Sequence, residues 1–363
     1  MNSALERLES LDSMEGIVEL GTRSGVPARL RFLPGAELVN VIYPGVLVTT
    51  TVGIAAMWLA QHYGAPVMLF ALLIGMAFHF LHEGGRCVPG IEFSSRTVLR
   101  VGVGLLGVRI TTEQIIGLGI IPALTVIVGV VTTILVGLAL AKRLKLQPTF
   151  GVLSGGSVAI CGASAALAIA TVLPRRPTSE RDTILTVVAV TTLSTLAMIF
   201  YPILVGILHL DNVHAGVFLG GTIHDVAQVV GAGYMISPET GDIATCIKLL
   251  RVAMLVPVVF VIGLVLQGQG TDGARAGKMP KLPLFLIGFV VFVILNSAGF
   301  LPPWFVSTAT DVSRWCLVIA IAALGMKTSF RDLVTVGWRP ILLMLVETAW
   351  IAAVVLISVK FVL

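Results

Sequence analysis

Two stretches decide how this chain is read: GVLSGGSVAICGASA, Gly151 to Ala165, and GVFLGGTIHDVAQVVGAG, Gly216 to Gly233. At an offset of 65, Gly151, Val152, Gly155, Gly156 and Ser157 fall on Gly216, Val217, Gly220, Gly221 and Thr222. Both are apolar segments containing Gly-Gly followed by a hydroxyl residue. Glycine is the weakest ordinary helix former, so the pattern predicts a helix break at Gly155-Gly156 and another at Gly220-Gly221. A break frees backbone N–H and C=O groups that lipid cannot satisfy, and these must face protein, water or a ligand. Paired broken segments in corresponding places are the sequence pointer to a transporter substrate site.

The rest of the chain fits that setting. It is 56% hydrophobic and 12% charged over 363 residues, with a mean hydropathy of +1.00, whereas a soluble domain is about 25% charged. The fold class expected is an all-α polytopic membrane protein in a lipid bilayer. The net charge of +5 is small and the basic residues sit in short loops, which points to membrane orientation and not to nucleic acid. Cys87, Cys161, Cys246 and Cys316 are scattered without CxxC spacing, so neither a disulfide framework nor a thiolate metal site is expected. The chain carries no Walker A motif, no G-x-S-x-G elbow and no HExxH, which speaks against an ATP-driven pump and a hydrolase. No cofactor and no enzymatic activity are expected.

Residues 1–38 read as a cytoplasmic arm without a signal peptide, with a short amphipathic helix near Leu5 to Leu20 or none. Residues 39–363 read as a single transmembrane transporter domain. Spanning segments need about 20 apolar residues. They are expected at Val39–Ala60, Ala65–Leu81, Arg96–Ile110, Ile120–Ala141, Thr183–Leu208, Ile243–Leu266, Leu282–Phe300, Val312–Met326 and Arg339–Val359. The two Gly-rich elements, Phe150–Leu173 and Val213–Ile236, lie among them. Lys and Arg collect in cytoplasmic loops. With the N-terminus inside, that rule is met throughout when both Gly-rich elements dip in and return from opposite faces. If they cross instead, giving eleven segments, only the loop with Arg175, Arg176 and Arg181 is misplaced. Nine crossings with two re-entrant elements, and eleven crossings, both stay open.

A second internal match supports inverted repeats. Gly107, Arg109, Thr111, Gly119 and Pro122 fall on Gly325, Lys327, Ser329, Gly337 and Pro340 at an offset of 218. The expected architecture is therefore an inverted repeat with two Gly-broken elements, re-entrant or discontinuous, meeting near the bilayer midplane.

Candidate chemistry follows the breaks. In the first element Ser157, Cys161 and Ser164 share a helical face. A half-helix starting near Ser157 would aim its partially positive end at Gly155 and Gly156 and attract an anion. The other reading of these small residues is close helix packing. In the second element Gly221 and Thr222 adjoin His224, Asp225 and Gln228. Intramembrane ionisable groups are functional by default, so His224 and Asp225 are the expected coupling pair, with Gln228 orienting them; a buried network that only rigidifies the break is the alternative. Arg109 and Lys327 are expected at opposite faces, Lys248 and Arg251 near the outer face at an anion entrance, and Glu347 inside the last segment with a partner the sequence does not identify. His79, His82 and Glu83 have ligand-like spacing, but a helix end at the interface explains them better than a metal.

SGGSVAICGASA (Ser154 to Ala165), GGTIHDVAQVVGAG (Gly220 to Gly233) and ALGMKTSF (Ala323 to Phe330) resemble the YeiH-like sulfate exporter family. The resemblance covers about Val39 to Val359. That family is similar to the cation–proton antiporter and anion transporter superfamily, whose members share inverted repeats and broken helices. The resemblance implies a secondary transporter of the bacterial inner membrane moving a small anion, such as sulfate, sulfite or a sulfonate, with proton or sodium coupling. A cation–proton antiporter using Asp225 and a passive anion channel are the alternatives. A homodimer is left open.

Overall fold

A computed structural model describes residues 35–64, 66–174, 176, 178–268, 283–328 and 337–362. Residues 1–34 of the expected arm, with the helix near Leu5 to Leu20, lie outside the described residues, as do Arg175, Arg275, Lys278, Lys281 and Arg331. Among the described residues there are helices and turns and no strand.

The helices are α1 (Gly35–Tyr63), α2 (Val67–Ala77), α3 (Val88–Phe93), α4 (Leu99–Leu106), α5 (Thr112–Gly117), α6 (Ile121–Arg143), α7 (Pro148–Ala159) and α8 (Ala163–Val172). They continue with α9 (Ser179–Ile207), α10 (Asn212–Thr222), α11 (Val226–Ile236), α12 (Pro238–Ala253), α13 (Leu255–Gly268), α14 (Leu284–Ser297), α15 (Pro303–Lys327) and α16 (Trp338–Phe361). Local chemistry sets many of the ends. Proline opens or nearly opens α6, α7 and α15, where a missing N–H costs nothing. Asp211 starts α10 by accepting the His214 N–H at 2.9 Å. Lys142 and Arg143 close α6 at the negative end of its dipole.

Among the described residues six helical runs are long and apolar enough to cross a bilayer: Val39–Tyr63, Ile121–Arg143, Ser179–Ile207, Pro238–Val265, Pro303–Lys327 and Trp338–Phe361. Three of the nine expected spans are shorter than the sequence suggests. Ala65–Leu81 contains an 11-residue α2 that gives way to a 3₁₀ turn at His79–Leu81. Arg96–Ile110 contains the 8-residue α4, reached from α3 through a π turn at Ser94–Val98. Leu282–Phe300 contains the 14-residue α14, held between Pro283 and the positive-φ Gly299. Apolar composition runs past these points, and turn geometry, not hydropathy, stops the helices.

The chain folds as two compact units, each assembled from separate stretches. The first comprises Met1–Gly117, Val230–Asp242 and Pro283–Ser329. In it α15 packs against α1, α2 and α4, and α14 against α4. Glu92, in the polar stretch ahead of α4, gathers three basic groups: Arg96 at 2.8 Å, Lys327 at 2.9 Å and His82 Nε2 at 2.8 Å. Arg109 of the same unit pairs with Asp242 at 3.2 Å. Arg109 and Lys327, matched in sequence at the offset of 218, thus both hold a carboxylate.

The second unit comprises Leu118–Val229, Ile243–Leu282 and Phe330–Leu363. Here α6, α7 and α16 pack together around Ala141, Phe150 and Leu343, with α8, α9 and α10 against them. The α6–α7 contact is backbone to backbone: a Cβ at Gly151 would lie 2.5 Å from the Gly137 carbonyl oxygen.

Burial opposes ionisation of Glu92, but Lys327, the His82 hydrogen bond and Arg96 outweigh it and hold the carboxyl at about 2 against an ordinary 4.5. A folded value below the unfolded one stabilises the fold above pH 4.5, and that stability is lost as pH falls toward 2. Glu92→Gln is expected to cost about 3 kcal/mol at neutral pH. The difference from the parent should shrink steadily under acid titration; thermal unfolding in detergent over a pH series measures it.

Candidate functional site

In the second unit α7 ends at Ala159 and α8 begins at Ala163; α10 ends at Thr222 and α11 begins at Val226. The non-helical residues are 160–162 and 223–225. Neither stop falls at a Gly-Gly pair, contrary to the sequence expectation. Gly155 and Gly156 lie inside α7, and Gly220 and Gly221 in the last turn of α10. Tight packing explains it. A Cβ at Gly155 would sit 3.0 Å from Ile134 Cα, one at Gly156 2.2 Å from Ile169 Cδ1, and one at Gly221 2.9 Å from Val355 Cγ1. These contacts outweigh a helix-propensity penalty of about 1 kcal/mol per glycine. The chain actually turns at Gly162, whose φ of +66° suits a residue without a Cβ.

The two turns touch: a Cβ at Gly162 would lie 3.8 Å from both the Cβ and the carbonyl oxygen of His224. His224 is fully buried, with Nδ1 3.0 Å from the Val158 carbonyl and Nε2 3.0 Å from Thr348 Oγ1. Since a carbonyl only accepts, Nδ1 carries the hydrogen and Nε2 accepts from Thr348, which satisfies a neutral ring. Asp225 is half-buried. Its backbone N–H donates to Ser194 Oγ at 2.9 Å, and its Oδ1 accepts the Ala227 N–H at 2.8 Å, capping the start of α11. Gln228 Nε2 donates to Thr195 Oγ1 at 2.7 Å, while its buried Oε1 has no partner. Cys161 is buried within the first turn, and Ser164 lies in the opening turn of α8. The Ser157 and Thr222 hydroxyls point back into their own helices, donating to Leu153 O at 2.5 Å and Phe218 O at 2.6 Å.

Lys248 and Arg251 are the groups whose place the sequence reading missed. They are fully buried at the two turns and not at an outer entrance. Three residues apart on α12, they share a face. Lys248 Nζ donates to Ile160 O at 2.6 Å, to Ile223 O at 3.0 Å and to His224 O. Arg251 Nε donates to Ala159 O at 2.9 Å, Nη2 to Val158 O at 2.9 Å, and Nη1 to Ile223 O at 3.0 Å and Gly220 O at 3.2 Å. These are carbonyls left open where α7 and α10 stop. Two cations thus meet the negative ends of two helix dipoles at one place. The signal was present as two charges in an otherwise apolar run, which by default marks an internal role.

The opposite ends differ from each other. The start of α11 has the acidic Asp225 as its cap, whereas α8 starts at Gly162 with no side-chain cap. The N–H groups of that first turn, beside Ser164, form a partially positive end without a side-chain cap. Elsewhere, His79 Nδ1 donates to Met326 O at 2.7 Å, and among the described residues no group of three His, Cys, Asp or Glu is placed to hold a metal.

A family profile described as conserved hypothetical protein 698 matches residues 44–344. A UPF0324 membrane protein of Chlorobaculum tepidum is 58% identical over 318 residues, covering 87% of this chain and 89% of its own. One from Rhizobium meliloti is 51% identical over 319 residues, 88% of this chain and 92% of its own. The UPF0324 membrane protein TauZ of Paracoccus denitrificans is 50% identical over 328 residues, 90% and 97%. No solved structure matches the chain.

Removing Arg251 would take a donor from four carbonyls, of which Val158 O keeps His224 Nδ1 and Ile223 O keeps Lys248 Nζ. Arg251→Met is expected to lower stability by about 3 kcal/mol or more, from the loss of charge-assisted bonds to buried acceptors. Arg251→Lys keeps the charge without the planar fork and should lose roughly half as much. Unfolding in detergent measures both; an Arg251→Met protein within about 0.5 kcal/mol of the parent would show that the carbonyls find other donors.

Proposed function

Since the chain belongs to the conserved hypothetical protein 698 family of membrane proteins, we propose that it is a secondary transporter of a small oxyanion, of the sulfate, sulfite or sulfonate class, working around the turns at 160–162 and 223–225. The observation that carries this reading is the pair Lys248 and Arg251, buried side by side at two adjacent helix stops. A membrane interior tolerates such charges where they serve a pathway or a bound ion.

In this reading α7 with α8 and α10 with α11 are two discontinuous helices related by a repeat. Several paired facts support it. Ser157 and Thr222, equivalent at the offset of 65, make the same bond one turn back. Arg251 joins the equivalent carbonyls of Val158 and Ile223. In the longer match, Gly119 and Gly337 both have positive φ, +73° and +89°, just before α6 and α16.

The anion docks on the uncapped first turn of α8, with Ser164 and the Cys161–Gly162 backbone nearest to it. Gly155, Gly156 and Gly221 let the helices approach, and Ser157 and Thr222 fix the two stops. Asp225 holds the coupling ion, a proton or sodium, because it is the half-buried carboxylate at the turns and attracts Lys248. His224 ties Val158 to Thr348 and transmits movement between the stops and α16. Gln228, with its open Oε1, orients the Asp225 end.

Proteoliposome flux tests the proposal. Sulfate, sulfite and methanesulfonate are loaded in turn, and a pH or sodium gradient is imposed. At least one anion should move uphill, and Asp225→Asn should abolish uphill movement about tenfold or more while leaving a folded protein. Flux that only ever equilibrates would indicate a channel. Cation-dependent proton flux without any anion would indicate a cation–proton antiporter.

A further inference from the structure

The second unit contains another buried carboxyl that the transport reading does not use. Glu347 lies on α16 and is fully buried. Its Oε1 accepts a hydrogen bond from Ser154 Oγ of α7 at 2.8 Å. Its Oε2 is buried with no partner. The space it fills exists because position 137 is glycine: a Cβ there would lie 2.4 Å from Glu347 Oε1. One turn earlier on α6, Thr133 Oγ1 is also buried without a partner. The Thr133 carbonyl, in turn, would be 3.1 Å from a Cβ at Gly155, beside Ser154. Glu347, Ser154 and Thr133 therefore gather where α6 and α7 cross.

Among the described residues Glu347 has no ion-pair partner. Helices α6, α7, α9 and α10 pack against α16. Their titratable groups are Lys142 and Arg143 in the last turn of α6, Glu180, Arg181 and Asp182 in the first turn of α9, Tyr201 further along α9, and His214 on α10. α7 carries none. On α16 itself Arg339 and Lys360 stand at the two ends. His224 stands nearest in the chain of bonds, through Thr348, the residue next to Glu347. Among the described residues none of these groups is ion-paired or hydrogen-bonded to Glu347.

An ionised carboxylate in an apolar interior is costly without a cation or a full set of donors. A protonated one carries an O–H that needs only an acceptor, and a threonine hydroxyl has acceptor lone pairs. We propose that Glu347 is a proton-binding site, loaded from and discharged to solvent during the working cycle, with Ser154 and Thr133 as its hydrogen-bonding partners. The link to function rests on the transporter reading: the Glu347-Thr348 pair joins this site to His224 and the helix stops. Loading and discharge of the carboxyl do not rest on it.

The test is infrared spectroscopy of the purified full-length protein in liposomes over an acid-to-alkaline series. The carbonyl stretch of a protonated carboxylic acid should be present, fall as pH rises, and be missing in Glu347→Gln. Asp225→Asn should keep it. Glu347→Gln retains an acceptor for Ser154 and should stay folded; if it does not, Glu347→Asp should shift the band instead of removing it. A band unchanged by Glu347→Gln or left in place by Glu347→Asp, or one that never responds to pH, overturns the proposal. Sulfite flux in the same liposomes separates the two readings. Without flux for any anion but with a titrating Glu347 band, only the transport reading fails. Flux with no such band removes only the proton site. With both in place, Glu347→Gln should flatten the pH dependence of flux.

Discussion

The second unit depends on how two helix ends are satisfied where water is scarce. Stopping a helix leaves carbonyls open at one end and N–H groups at the other, and a bilayer offers neither donors nor acceptors. Here α7 and α10 stop side by side, and Lys248 and Arg251 supply seven donated bonds between them to the open carbonyls. Each side needs the other. The cations would be prohibitive without oxygen ligands, and the carbonyls without donors. Because the two charges come from adjacent turns of one helix, they fix the two stops relative to each other. The close approaches at Gly151, Gly155 and Gly220 then bring α6 and α12 within reach.

Much of this was legible in the residues, though not all at the right positions. The two matched Gly-rich stretches each contain a place where a helix stops, at 160–162 and 223–225. Six spans were legible from hydropathy, because a 20-residue apolar run has few other uses. Intrinsic propensity alone puts the breaks at the glycines, whereas the helices stop at Ile160, four residues after Gly156, and at Ile223, two after Gly221. In a membrane protein a Gly-Gly pair serves as readily to let helices touch, and nothing in a single sequence separates the two uses. The better local signal was Asp225, an N-cap residue just ahead of an apolar helix. The roles of Lys248 and Arg251 were illegible for a different reason. Their acceptors belong to residues up to 93 positions away in sequence, so only the folded chain shows what they bind. Ser154, the partner of Glu347, lies 193 positions from it and was hidden in the same way.

The unequal starts of α8 and α11 give the unit a direction. One is capped by a carboxylate, and the other has no side-chain cap. Charge balance points the same way. At the turns Lys248 and Arg251 share the Ile223 carbonyl, and the carboxylate of Asp225 attracts Lys248. In the proposed transport an oxyanion at the first turn of α8 would add negative charge beside Lys248 and Arg251, and releasing the Glu347 proton would add negative charge to the same unit. Anion binding and proton binding would therefore favour one another through electrostatics alone, and linkage requires that coupling to be reciprocal. The proposed carrier would need that dependence between cargo and proton, and electrostatics would supply it without any contact between the two.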